Sequence, residues 1–358
     1  MQRKLRISFC TVCMNRLHHL RETLPKNIAD NISYSNIEFI VLDYNSKDGL
    51  KDWIMTEMSR YVQKGILKFY STNEPNSFLR SHSKNVAGKQ ATGDIICNVD
   101  ADNFIGEGFS DFINNIFGTQ KNCYLAVNRK KSNPDFYGRI CLWKQDFWKI
   151  HGYDESMVGY GFEDYDLWNR LELLGRKVIY IEDFKYLKSM KHNDEERIEN
   201  ESNSKDILKI YINYINHAES NFLYLFENNK FRLGRVIING LYDSESIDNF
   251  FGKEIHEYYN SLWNNRWIHG EWEKVGHEIV LSDKENNSSK VFKIVGLSLI
   301  EKTEFRTPTE YVEIEMKSQM SELIMFYSQI NNRIIMEKNK KMRQVVVNSD
   351  GFGIATLT

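Results

Sequence analysis

Residues 91–103 read ATGDIICNVDADN. The apolar run from Ile95 to Val99, bounded by a Gly-Asp pair before it and acids after it, has the pattern of a short buried strand. Three earlier stretches repeat that pattern: RISFCTV (6–12), IEFIVLD (37–43) and ILKFYS (66–71). The segments between them carry apolar residues at helical spacing, as at Leu17, Leu20, Leu24 and Ile28. Strand and helix in alternation predict an α/β fold whose largely parallel sheet is covered on both faces. Ligands of such sheets bind at the carboxyl ends of the strands. The residues that follow each run are therefore the ones to watch: Asn15 and Arg16, then Asp43, then Asp100 and Asp102.

The chain has 358 residues, 41% of them apolar and 27% charged, which is the composition of a folded protein large enough for one α/β domain and a smaller module. Its 47 basic and 49 acidic side chains leave a formal charge of -2, so no global field draws it to nucleic acid or an anionic membrane. No stretch reaches the roughly 20 apolar residues of a membrane span, and the basic start MQRKLRISFC runs straight into a strand; a cytoplasmic location is expected, with at most peripheral membrane contact. Five cysteines give no disulfide framework. The pair Cys10 and Cys13 sits inside and just after the first strand, where packing is the expected role.

Beyond residue 200 the pattern changes. Ile207, Leu208, Tyr211, Ile212 and Ile215 have amphipathic helical spacing, so residues 201–229 are expected to form a helical connector. WIHGEWEKVGHEIVLS (267–282), KVFKIVGLSLIE (290–301) and EYVEIEMK (310–317) alternate apolar and polar residues, which predicts a mostly-β accessory module over 230–358. The basic run MEKNKKMR (336–343) reads as a solvated turn.

Asp100 and Asp102, two apart beyond a strand, can turn both carboxylates to one side. Hard oxygen donors so placed suit Mg²⁺ or Mn²⁺, and an acid-rich turn explains them equally well. A calcium loop is excluded. Counted from Asp43 the sixth and twelfth positions are Asp48 and Ile54, and counted from Asp100 they are Ile105 and Asp111, where glycine and glutamate are needed. No GxGxxG follows the first strand, which excludes a dinucleotide fingerprint. His192, in SMKHNDEER, is a surface histidine unless the fold returns it to Asp102, where an imidazole would favour Mn²⁺ over Mg²⁺. The stretch GYGFEDYDLWNR (159–170) also has two readings. Glu163, Asp164 and Asp166 complement the dipole of a starting helix, or Glu163 and Asp164 stand at the mouth of a site and do acid–base chemistry.

Taken in order, NRLHHL (15–20), VLDYNSKDG (41–49), ATGDIICNVDADN, WKQDFWKIHGYDE (143–155) and GYGFEDYDLWNR resemble the family 2 glycosyltransferases of GT-A fold. The later segments resemble the β-1,4-galactosyltransferases and the related domains of bacterial chondroitin-type polymerases. The resemblance covers roughly residues 5 to 200 and implies a GT-A catalytic domain over 1–200. It assigns Arg16 to a nucleotide diphosphate, Asp43 to the uracil or ribose, Asp100 to the ribose, and Asp102 with His192 to a metal, Mn²⁺ or Mg²⁺. It makes Tyr160 a stacking surface for the acceptor sugar, Glu163 an acceptor-hydroxyl contact and Asp164 the catalytic base. The loop Asp135 to Gly138 is expected to bear on donor choice. Tyr165 stands where the galactosyltransferases continue their acidic run, and Met190 is one residue nearer the histidine than in their pattern.

The activity so implied is inverting, metal-dependent transfer of galactose or N-acetylgalactosamine from a UDP-sugar donor to a saccharide or glycolipid acceptor in surface glycan biosynthesis. Two other readings share parts of the pattern. A nucleotidyltransferase acting on a sugar phosphate would need the sheet and the carboxylates but not the GYGFED element. A non-catalytic carbohydrate-binding protein would not need Arg16, Asp102 and Asp164 together.

Overall fold

The computed structural model describes residues 4–128, 134–215, 220–236, 267–304 and 306–358. The chain divides into two compact units, one of Met1–Ser202 with Met325–Thr358 and one of Asn203–Ile324.

The first unit is built on a seven-stranded mixed sheet. Its strands are β1 (Ile7–Cys13), β2 (Ile37–Tyr44), β3 (Leu67–Thr72), β4 (Ile95–Asn98), β6 (Cys123–Val127), β7 (Cys141–Trp143) and β8 (Lys177–Ile181). They lie in the order β3-β2-β1-β4-β7-β6-β8. The first four pair in parallel, β7 runs antiparallel to β4 and β6, and β8 is parallel to β6. The expected α/β sheet is thus present, with one reversed strand at its centre.

Strand alternation divides the core in two. Ile7, Phe9 and Cys13 of β1, with Ile37, Phe39 and Val41 of β2, pack on one side against Leu20, Leu24 and Ile28 of the helix Leu17–Asn31. Cys10, Val12, Ile40 and Leu42 point the other way, into a second core with Val86 and Ala87 of the helix Arg80–Lys89 and Leu167, Trp168 and Leu171 of the helix Glu163–Leu173. Cys10 and Cys13 are free, buried thiols, as packing required.

A small antiparallel pair, β5 (Asn103–Phe104) with β9 (Lys188–Ser189), joins residues far apart in sequence. The second core is completed from the end of the chain. Phe352 packs against Phe147 at 5.7 Å and stacks on His151 at 5.4 Å, while Asn348 donates to the carbonyls of His151 and Tyr153 at 2.8 and 2.6 Å.

In the second unit, among the described residues, eight strands from β10 (Ile207–Tyr214) to β17 (Glu310–Glu313) close into an antiparallel barrel, with β10 pairing both β11 (Ser220–Phe226) and β17. The expected helical connector is therefore wrong: Ile207–Tyr214 is a strand. A register shift between Ile207 and Lys209 breaks the alternation there, and Ile210 and Tyr211 are buried on opposite faces of the strand, so the buried residues Ile207, Ile210 and Tyr211 mimic helical spacing. The mostly-β reading of 267–317 stands, but 325–358 belong to the first unit. MEKNKKMR is not a turn; most of it closes the helix Lys317–Lys341, whose last turn holds Lys338, Lys340 and Lys341 against the negative end of the dipole. No described helix is long and apolar enough to cross a membrane.

Candidate active site

At the carboxyl ends of β1 and β4 the first unit has a cavity of about 410 Å³. Its wall includes Arg16, Arg80, Lys84, Asp100, Asp102, Tyr160, Glu163, Asp164 and His192, along with Asp135, Tyr137 and Gly138. Of the eight residues to which the resemblance assigns a role, seven line it: Arg16, Asp100, Asp102, Tyr160, Glu163, Asp164 and His192. The eighth, Asp43, is buried at the end of β2 and is not part of the wall; its Oδ1 accepts from the Ser46 N–H at 2.8 Å and shapes the turn that follows.

One side is made by the start of the helix Glu163–Leu173. Gly159, Gly161 and Phe162 all have positive φ, at 80°, 92° and 70°. The two glycines take that backbone without a Cβ penalty, which gives the glycine-aromatic-glycine spacing its physical reason. Asp166 anchors the helix through a 2.6 Å ion pair with the fully buried Arg170, whose guanidinium also donates to the carbonyls of Ile150 and Gly152 at 3.1 and 2.8 Å. Glu163 and Asp164 of the same turn are left to the cavity.

Between them lies Lys84, from the helix Arg80–Lys89. Its Nζ donates to Glu163 Oε1 at 3.0 Å and Asp164 Oδ1 at 2.9 Å, with the ammonium and both acids buried. Burial opposes the charge on Lys84, but Asp164 and Glu163 outweigh it and hold the ammonium well above its ordinary range. The same burial drives Asp164 the other way: loss of solvent, opposed by Lys84 and reinforced by Glu163 and Asp100, lifts its pKa from 3.8 to about 6. In Glu163 burial is overcome by Lys84 and Arg80, and its pKa falls. Two adjacent acids are thereby set apart. No motif announced Lys84; the only signal was a lysine inside the small-residue helix stretch SHSKNVAG (81–88).

The opposite side carries Asp102 and His192. The β5–β9 pairing, together with the Met190 N–H donating to the Asp102 carbonyl at 2.9 Å, returns His192 to the strand end. His192 Nε2 lies 2.9 Å from Asp102 Oδ2, and their side chains are 11% and 13% exposed. Burial would raise the Asp102 pKa, but the His192 hydrogen bond and charge bring it below the ordinary carboxylate value. The hydrogen bond to Asp102 raises His192 against its own desolvation. A buried chain holds the pair in place: Arg139 Nη2 donates to Asn103 Oδ1 at 2.7 Å, and Asn103 Nδ2 donates to Asp102 Oδ1 at 3.0 Å. A carboxylate oxygen and an imidazole nitrogen facing each other at the edge of a cavity are a donor set that fits a divalent first-row cation. Asp100 lies deeper, its pKa raised by burial against the pull of Lys84. It packs so close to Gly138 that a Cβ there would stand 2.6 Å from its Oδ2.

Cations complete the wall. Arg80 forms a 2.6 Å ion pair with the buried Glu201 and stacks over the Tyr160 ring at 4.7 Å. Arg197 donates to Tyr160 Oη at 3.0 Å and pairs with Asp135 at 2.8 Å. Arg16 reaches the carboxylate of Glu199 at 3.3 Å and also donates to the Glu196 carbonyl.

A family model described as the N-terminal domain of galactosyltransferase matches residues 125–193. No curated protein matches the chain. Among solved structures, a mannosyltransferase from Pyrobaculum calidifontis in complex with GDP-Man and Mn²⁺ is 18% identical, with 51% of this chain and 56% of that one covered and a TM-score of 0.42. TarS residues 1–349 from S. aureus is 17% identical over 50% of this chain and 58% of that one, also at 0.42. A Drosophila β1,4-galactosyltransferase 7 mutant, complexed with manganese, UDP-Gal and xylobiose, is 16% identical over 55% of this chain and 75% of that one, at 0.38. The chain spans little more than half the length of the first two. The matched residues include Tyr160, Glu163, Asp164 and His192 of the cavity wall, while Arg16, Arg80, Lys84, Asp100 and Asp102 lie outside the match.

Proposed function

We propose that the first unit is the catalytic part of a glycosyltransferase that moves a sugar, galactose or N-acetylgalactosamine by preference, from a UDP-sugar to a saccharide hydroxyl with inversion. The observation that carries this reading is the pairing within one cavity of an acid shifted up to about 6, Asp164, with a carboxylate–imidazole pair, Asp102 and His192.

In this scheme Asp164 is the base. Lys84 occupies Oδ1, and Oδ2 takes the proton of the acceptor hydroxyl while that oxygen bonds the anomeric carbon and the bond to the diphosphate breaks. A pKa of about 6 lets Asp164 be ionised at neutral pH yet basic enough to share a proton in the transition state. Lys84 fixes the carboxylate and keeps its pKa from rising further, which makes it a positioning residue. Glu163 accepts from a second acceptor hydroxyl, and Tyr160, held by Arg197, offers its ring to the acceptor sugar.

On the donor side Arg16 meets the diphosphate and Asp100 the ribose. Asp102 and His192 would hold the cation, Mn²⁺ rather than Mg²⁺ because of the imidazole, and that ion supplies positive charge against the leaving diphosphate. Asp135, Tyr137 and Gly138 border the donor and bear on its sugar. Surface glycan synthesis is the setting we infer. The test is a panel of nucleotide sugars with Mn²⁺, scored for slow hydrolysis that frees the nucleotide. UDP released from UDP-galactose or UDP-N-acetylgalactosamine supports the reading, and no release from any sugar nucleotide ends it.

A further inference from the structure

We infer that His18, His19 and Glu196 form a second divalent-cation site of zinc type, separate from Asp102 and His192, that clips two distant segments of the first unit together. One ligating atom from each residue lies within 4.8 Å of the others. Glu196 Oε1 is 2.8 Å from His18 Nε2 and 3.3 Å from His19 Nε2. A tetrahedral ion bound at about 2.0–2.1 Å sets its ligands roughly 3.4 Å apart, so the triangle needs little adjustment. Two imidazoles and one carboxylate are a borderline donor set that suits Zn²⁺ or Co²⁺, with a fourth position open to water.

The ligands are held from both sides. His19 is buried in the first turn of the helix Leu17–Asn31, its ring 4.2 Å from that of His18. Glu196 sits in the short helix Asp194–Ile198, where the Asn193 side chain caps the turn by accepting from the Glu196 N–H at 2.8 Å. Arg16 approaches Glu196 Oε1 at 3.7 Å, but its Nη1 also pairs with Glu199 at 3.3 Å, so it keeps an anionic partner when an ion takes the Glu196 oxygen. The His19 and His192 rings are 5.5 Å apart, which makes the two donor sets neighbours with no residue in common. Hydrogen bonds between the two imidazoles and Glu196 are the alternative explanation of the same distances, and metal uptake separates the two.

The site does not depend on the transferase reading. The full chain, stripped of metal, is titrated with Zn²⁺ alone by calorimetry and with Co²⁺ by visible absorption. The expected result is two ions in the wild type and one in an Asp102→Asn/His192→Ala variant, the remaining Co²⁺ absorbing strongly as a four-coordinate ion. Adding His18→Ala or Glu196→Gln to that variant weakens the remaining ion by at least about tenfold. His18 is exposed, so its removal leaves the fold intact, and circular dichroism checks this. No ion bound by the Asp102→Asn/His192→Ala variant overturns the site, as does a titration unchanged by His18→Ala.

Discussion

The two sides of the cavity hold acids of the same kind and treat them oppositely. Asp164 is buried beside one shared ammonium and a second acid, and its pKa climbs to about 6. Asp102 faces an imidazole at 2.9 Å and its pKa falls. The first environment suits the proton acceptor we propose for Asp164, and the second suits a carboxylate that stays ionised, as the cation ligand we propose for Asp102 must. Environment, not residue type, divides the labour.

The sharpest way to break this contrast is Asp164→Asn. The amide keeps its shape next to Lys84 but cannot accept a proton, so transfer should drop by a factor on the order of 10² to 10⁴ while UDP binding is retained. If the pair were only a helix start, the change would cost about 1 kcal/mol or less and turnover would survive. A loss below about tenfold in the folded variant rejects Asp164 as the base.

Next in size is the opposite side. His192→Ala should lower transfer by on the order of 10² and flatten its dependence on Mn²⁺ concentration, and in the wild type Mn²⁺ should outperform Mg²⁺. Full wild-type activity in excess chelator would remove the cation from the mechanism.

A pH profile sharpens the contrast from within. The base works ionised, so kcat/KM should decline as pH falls through about 6. Lys84 lowers the pKa of Asp164, so in Lys84→Gln the acid limb should move to higher pH and activity at pH 7 should fall severalfold. That variant also leaves two buried acids without their cation and is expected to lose roughly 3–5 kcal/mol of stability, read from denaturant unfolding. A limb that stays in place would show that Lys84 serves packing alone.

The smallest effects lie at the strand ends. Arg16→Ala should weaken UDP binding by about tenfold through a lost charge on the diphosphate. Asp43→Ala should weaken it less, because Asp43 acts from behind the Ser46 turn. Calorimetry with UDP and Mn²⁺ ranks them, and the reverse order would put Asp43 in the donor site itself.

Much of this was legible in advance because it is local. β1 to β4, the acids beyond them and the GYGFED turn are each written in fewer than about ten consecutive residues, where period and turn chemistry speak directly. Arg80, Lys84 and Glu201 were not legible, since a charged residue becomes buried only when a partner from another segment meets it. The strand Ile207–Tyr214 was hidden by its bulge. The return of 325–358 had no signal at all, because an amphipathic helix does not name the surface it covers.

That return sets an order of events during synthesis. Asn332 donates to the Gly161 carbonyl at 2.8 Å, and Asn339 donates to Asp154 and Asp166 at 2.8 and 2.9 Å, so the turn that presents Glu163 and Asp164 is finished by residues made after the whole of Asn203–Ile324. At about 5–20 residues per second, translation of the intervening unit takes on the order of ten seconds. Through that interval the turn has its Lys84 and Arg170 partners but lacks Asn332 and Asn339. The turn is therefore completed only once Asn332 and Asn339 have been made, more than 160 residues after Gly161 itself.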